Sequence, residues 1–176
     1  FFKKFKNVEL EIRTKSVQPG SLLRLGANSN IIIAYSLMPE RLARDLDIRA
    51  PSIKRRVSAL NILARAGWPV GLRFDPMIYC EGWKVLYEKH ISKVMKDLPP
   101  ESVHSVTLGP LRFPKGMYKK INKLYPEHPL FAGHLLENQG IVSYAPSLEL
   151  EMASYLEDIL SNYVDENRIY RHNSRN

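Results

Sequence analysis

Asn30-Ile31-Ile32-Ile33-Ala34-Tyr35-Ser36-Leu37 is the stretch that decides the fold. Three consecutive isoleucines, rather than alternating apolar and polar residues, mark a strand covered on both faces, as in a parallel sheet. Upstream, Val8 to Thr14 alternates apolar and polar, the pattern of a half-buried strand. Downstream, Pro39 suits the first turn of a short helix ending near Asp47. Ser52, after Pro51, is placed to cap the next helix. Behind it Ile53, Val57, Leu60 and Ala64 fall on one helical face, opposite Lys54, Arg55, Ser58, Asn61 and Arg65. Gly67 ends that helix. Pro69 to Asp75 reads as a strand stopped by Pro76. A helix from about Gly82 to Leu98 turns Trp83, Tyr87, Ile91 and Val94 inward, and Pro99-Pro100 breaks it. Val103 to Leu108 is another strand, followed by a helix from about Pro114 to Leu124. A long helix from about Ser147 to Tyr163 buries Leu148, Met152, Tyr155, Ile159 and Tyr163, and Ile169 to His172 is a last short strand.

Strands alternating with helices imply a parallel sheet with helices outside. Right-handed crossovers leave a barrel or an open sheet, and about four units fall short of the eight in a closed barrel. The first strand starts close to Phe1, so its neighbour on one side is expected in preceding sequence. The chain therefore reads as the second half of a partial barrel: one unit over 1–176, with core strands and helices in 1–125 and a C-terminal helix and tail in 126–176.

At 44% hydrophobic residues the 176-residue chain can bury a real core, which excludes a disordered protein. No apolar run approaches the roughly 20 residues of a membrane helix, so no membrane partner is expected. The single cysteine, Cys80, excludes a disulfide framework and fits a reducing cytoplasm. One thiol cannot by itself hold a structural zinc or an iron–sulfur cluster. The net charge of +8 suits a phosphate backbone and equally suits plain solubility. The cations are spread out: Lys54-Arg55-Arg56, Lys119-Lys120 with Lys123, then Arg168, Arg171 and Arg175.

No phosphate loop, G-x-G-x-x-G, H-E-x-x-H or G-x-S-x-G occurs. The histidines at 90, 104, 128, 134 and 172 have no metal-ligand spacing. The strand ends carry more, because ligands of parallel α/β folds sit at carboxyl ends of strands. Lys15 there can hold a carboxylate or phosphate. Ser36 is small and offers a hydroxyl. Arg73 and Asp75 share a face; they either satisfy each other or face a ligand. Arg112, Phe113 and Tyr118 combine cationic and aromatic groups, as single-strand nucleic-acid sites do, although core and surface roles suit both aromatics as well. Cys80 reads as a small buried residue and Trp83 as a packing anchor.

Several stretches together resemble the spore photoproduct lyase family of radical S-adenosylmethionine (SAM) proteins. They are Glu11-Ile12-Arg13-Thr14-Lys15-Ser16, Ala34-Tyr35-Ser36-Leu37, Ala50-Pro51-Ser52, Ala66-Gly67-Trp68-Pro69-Val70-Gly71, Phe74-Asp75-Pro76-Met77-Ile78-Tyr79 with Glu81-Gly82-Trp83, and Leu108-Gly109-Pro110-Leu111-Arg112-Phe113. The resemblance implies a partial TIM-type (β/α) barrel, a [4Fe–4S] cluster and SAM cleaved to a 5′-deoxyadenosyl radical that repairs thymine photoproducts in DNA. By motif position it implies that Lys15 lies near the SAM carboxylate, Ser36 near the ribose or amino-acid moiety, and Asp75 in the cofactor cleft. Arg112 is implied as a contact for substrate phosphate, and Arg73, from its place at a strand end, is a further candidate for binding substrate. The family's CxxxCxxC cluster motif is not in this chain, and Cys80 does not match it. The cluster ligands are therefore expected outside this chain, in a missing N-terminal half of the barrel or a separate chain. The alternative expectation is a catalytically incomplete remnant, acting at most as a basic nucleic-acid-binding module.

Overall fold

The isoleucine-rich stretch does form a buried strand, the second of five that run parallel. A computed structural model describes residues 4–5, 7–132 and 135–172; His134 and Arg175 lie outside the described residues. The strands are β1 (Leu10–Thr14), β2 (Ile31–Ser36), β3 (Val70–Met77), β4 (Val103–Pro110) and, at the far end of the chain, β8 (Ile169–Arg171). Their order in the sheet is β1-β2-β3-β4-β8, and every pairing is parallel. The helices are α1 (Gly20–Leu25), α2 (Glu40–Leu46), α3 (Ile53–Arg65), α4 (Trp83–Met95), α5 (Lys115–Leu124) and α6 (Pro146–Ser161). Three short strands, β5 (Arg112–Pro114), β6 (Leu135–Asn138) and β7 (Ile141–Tyr144), make a separate antiparallel sheet in the order β5-β7-β6.

The core lies on one face of the parallel sheet. Ile33 and Tyr35 of β2, Leu72 and Phe74 of β3, and Val106 and Leu108 of β4 join one apolar cluster with Leu60 and Leu63 of α3, Tyr87 and Ile91 of α4, and Met152 and Leu156 of α6. Residues between them in the strands, such as Arg73, Asp75, Ser105 and Thr107, point the other way because strand side chains alternate. A register shift keeps this alternation coherent. Val70 pairs with Val103 but Gly71 with Ser105, so His104 is an extra residue and both Val103 and Val106 reach the core.

Local chemistry explains the boundaries. The Ser52 side chain accepts a bond from the Arg55 amide and caps α3. Gly67, at φ +84°, takes the left-handed turn after that helix. The buried stripe of α3 is Ile53, Arg56, Ala59, Leu60, Leu63 and Ala64. It is rotated from the expected stripe, so that Arg56 is buried and Val57 only partly so. On α6 the deepest positions are Met152, Leu156 and Leu160, while Tyr155 and Ile159 pack at the flank. Pro76 does not end its strand: β3 continues to Met77, which pairs with Pro110 beyond an irregularity in the register. A proline lacks an N–H to donate and is tolerated where the ladder is already broken. The antiparallel sheet and α1 were not read from the sequence.

His90 sits in the core against Phe74, ring centroids 5.8 Å apart and nearly perpendicular. Burial, with a smaller push from Lys93, lowers its pKa to about 4, so it is a neutral core residue at pH 7. Among the described residues no helix is long and apolar enough to cross a membrane.

Candidate functional site

The carboxyl ends of β1 and β2 bring two expected residues together. Thr14 pairs with Tyr35, so Lys15 and Ser36, the next residues, emerge side by side. The segment at the C-terminal end of α2 closes over them. Lys15 Nζ donates to Asp47 Oδ1 at 2.7 Å, and Arg56 Nη2 donates to Asp47 Oδ2 at 2.9 Å. Arg56 also donates through Nη1 to the Ser36 carbonyl at 3.1 Å and through Nε to the Pro51 carbonyl at 2.8 Å. Burial alone pushes the Asp47 carboxyl up, but the hydrogen bonds and charges of Lys15 and Arg56 together hold it below its ordinary value. Beside this group lies a mostly apolar cavity of about 390 Å³, with Lys15 and Asp47 on its lining and Met38, Ile78, Leu111 and Phe113 among its walls. That volume falls within the range of small-molecule sites.

A second charged group occupies the opposite face of the sheet, beyond the buried Ile32 and Ala34 of β2. Arg73 is 2% exposed and spends all five of its N–H donors on the protein. Nε and Nη2 donate to the Glu11 carboxylate at 3.1 and 2.5 Å, Nη2 also to Ser105 Oγ at 2.8 Å, and Nη1 to the Ser105 and Leu72 carbonyls at 2.9 and 3.1 Å. The Arg73 hydrogen bond is the main reason that Glu11 is held below the usual carboxylate range. Asp75 does not pair with Arg73. It accepts from Arg112 Nη2 at 3.2 Å and lies 3.6 Å from Arg13 Nη1. Of the two arginines expected at a substrate, Arg73 is thus fully committed as a staple between β1, β3 and β4. Arg112, with about a quarter of its side chain exposed, is not.

Small residues make room for these charges. A Cβ on Gly71 would lie 2.7 Å from Arg73 Nη2 and 2.9 Å from Ala34 Cβ, and one on Gly109 would lie 2.7 Å from Asp75 Cγ. Any side chain at either position would displace the ion pairs.

The other candidates resolve into packing. Trp83 starts α4, is buried, and meets Tyr155 edge to face at 5.2 Å between centroids. Phe113, Tyr118 and Phe131 form an aromatic cluster, with Tyr118 and Phe131 5.7 Å apart. Cys80 is a half-buried free thiol whose pKa is raised by burial. A thiol held protonated in this way, with no second cysteine in the chain, does not fit a [4Fe–4S] cluster, which is held by several thiolates. Among the described residues no three His, Cys, Asp or Glu side chains gather as a metal ligand set. A larger cavity, about 900 Å³, opens beside Trp68, Pro69, Val103 and His104 at the amino ends of β3 and β4, away from the end where ligands of this fold class bind.

Sequence reasoning missed Arg56, Asp47 and Glu11. A signal existed for Arg56, which falls three residues after Ile53 and four before Leu60, within the apolar stripe. Glu11 has a local partner in Arg13, but the buried arginine it holds lies 62 residues away, and the partners of Asp47 lie 9 and 32 residues away, beyond the reach of local spacing.

A family model described as spore photoproduct lyase matches residues 1–136. The spore photoproduct lyase of Bacillus subtilis (strain 168) is 25% identical over 164 residues, 89% of this chain and 47% of that protein. That of Clostridium acetobutylicum is 27% identical over 131 residues, 74% of this chain and 38% of that protein. The chain thus spans about half or less of the length of these curated relatives. Among solved structures, a cysteine variant of spore photoproduct lyase superposes with a TM-score of 0.83 at 17% identity, covering 97% of this chain and 52% of that one. A double variant with bound AdoMet and dinucleoside spore photoproduct superposes with a TM-score of 0.76 at 18% identity, covering 93% and 50%.

Proposed function

This chain belongs to the spore photoproduct lyase family, and from that premise we propose that it is the C-terminal portion of a radical SAM lyase that repairs thymine photoproducts in DNA. The observation that carries the reading is the adjacency of Lys15 and Ser36 at the carboxyl ends of β1 and β2, joined through Asp47 and Arg56. Two cations and one carboxylate leave this group one positive charge in excess, which suits the carboxylate of SAM.

In this reading the Lys15 ammonium holds the carboxylate of the SAM methionine moiety. It has three donors, and Asp47 takes one. Ser36 offers its hydroxyl to the ribose or the amino-acid end. Asp75, on the face away from the core, lines the cleft and orients Arg112. Arg112 then meets a DNA phosphate, a charge-assisted contact that guanidinium groups form well. When bound, SAM would supply a 5′-deoxyadenosyl radical, methionine leaving as one electron from the iron–sulfur cluster breaks the carbon–sulfur bond. The ligands of the iron–sulfur cluster are assigned to sequence outside this chain, because the residues here do not fit one. Support for a DNA substrate comes from the relative whose structure holds the dinucleoside photoproduct and from the net charge of +8.

That same charge favours a second reading, a basic module that binds nucleic acid without chemistry. SAM binding separates the two. Titration calorimetry is expected to show SAM binding to the chain, weakened about tenfold or more by Lys15→Ala, the loss of one charge-assisted hydrogen bond. A chain that binds DNA but not SAM selects the second reading.

A further inference from the structure

Arg56 is 1% exposed, and a buried guanidinium is tolerated only when its donors and charge are met. Here one side chain spans three segments. It fixes the Ser36 carbonyl at the end of β2, the Pro51 carbonyl before α3, and the carboxylate of Asp47, which is the C-cap residue of α2. The second oxygen of Asp47 is left for Lys15. The chain of contacts therefore runs from the interior outward: Arg56 is buried, Asp47 is nearly so, and the Lys15 side chain is 42% exposed.

A free lysine on a strand end wanders through many rotamers, and ordering it on ligand binding costs entropy. A lysine already held by a fixed carboxylate has lost that freedom beforehand. The Ser36 backbone is fixed in the same stroke, because Arg56 Nη1 donates to its carbonyl.

We propose that Asp47 and Arg56 are a positioning pair for SAM, with Arg56 locking Asp47 and Ser36 in place and Asp47 aiming the Lys15 ammonium at the ligand's carboxylate. This rests on the function proposed above. It makes a prediction opposite to simple charge counting. Removing the negative charge of Asp47 leaves two cations beside the ligand's carboxylate, which by Coulomb attraction alone would tighten binding. Positioning requires the reverse.

The test is calorimetric titration of the chain with SAM and with decarboxylated SAM, which lacks the carboxylate that Lys15 is to meet. Circular dichroism of each variant verifies folding. Asp47→Asn is expected to weaken SAM binding about tenfold and to leave the affinity for decarboxylated SAM unchanged. The double variant Lys15→Ala/Asp47→Asn is expected to bind SAM no more weakly than Lys15→Ala alone, because Asp47 acts through Lys15. Should Asp47→Asn fail to fold, Asp47→Glu keeps the charge that compensates Arg56 and moves only the tip. It is expected to weaken SAM binding while decarboxylated SAM binds as before. Unchanged or tighter SAM binding by the Asp47 variant overturns the proposal. So does equal weakening toward both ligands, or an additive loss in the double variant. In each of these cases Lys15→Ala still weakens SAM binding and the proposed function stands. If Lys15→Ala has no effect, or the chain binds no SAM, the functional reading fails and this proposal falls with it.

Discussion

On one face of the parallel sheet, Leu72 and Phe74 of β3 and Val106 and Leu108 of β4 are sealed under α3, α4 and α6. On the other, the residues between them, Arg73, Asp75, Ser105 and Gly109, carry charges, hydroxyls or no side chain at all. The two faces share one backbone and one set of ladder bonds, yet they are stabilised differently. The first excludes water, and its strength scales with apolar area. The second holds buried charge, which stabilises little in itself but is costly to disrupt, because a surviving partner is left uncompensated. A surface of this second kind is tolerated where it does work, and here it lies continuous with the carboxyl ends of the strands.

The largest effect is expected on the apolar face. Phe74→Ala should destabilise the chain by about 4 kcal/mol, the cost of an aromatic cavity in a closed core; chemical denaturation measures it. A loss below about 1 kcal/mol, the range of surface changes, would break the claim that this face carries the stability. Next comes Arg73→Met, expected to cost about 2 kcal/mol: Glu11, about a third exposed, keeps Arg13 as a partner, while the Ser105 hydroxyl and carbonyl lose their Arg73 donors. This variant also has a signature in pH. Glu11 is depressed in the folded state, so its contribution is complete above the ordinary carboxylate value and is lost as pH falls through the lowered one. In Arg73→Met that part of the acid loss should shrink, read from stability measured across the acid range. A stable variant with unchanged acid behaviour would mean that the polar face tolerates an apolar patch, as some buried ion networks do. The smallest effect is Gly109→Ala, expected at about 1.5 kcal/mol because the new methyl must push Asp75 aside. Its sharper consequence is a weaker hold on Arg112, visible as lower affinity for an oligonucleotide at fixed salt.

Where side chains followed local periodicity, the sequence was readable. The five parallel strands, the helices at 53–65, 83–95 and 115–124, and the inward set Trp83, Tyr87, Ile91 and Val94 all follow from spacing and breakers. The antiparallel sheet was missed because β5, β6 and β7 are three or four residues long, too short for a period of two to declare itself. Pro76 was misread as a stop because its local rule holds only while the ladder is regular. The candidate site was half legible. Lys15, Ser36, Asp75 and Arg112 stand out at strand ends, but Arg56 looked like one more cation on a basic helix, and Arg73 looked available when every donor is taken.

The sequence by itself determined the order of the five parallel strands and of the helices from α2 onward, the parallel sheet, the apolar face and the family to which the chain belongs. These depend on residue type and near-neighbour spacing, which any stretch of chain carries within it. Only the tertiary structure decided which charge meets which: Glu11 with Arg73, Asp75 with Arg112, and Asp47 shared between Lys15 and Arg56. Ion pairing depends on distance in space, and the fold brings together side chains that spacing along the chain cannot match.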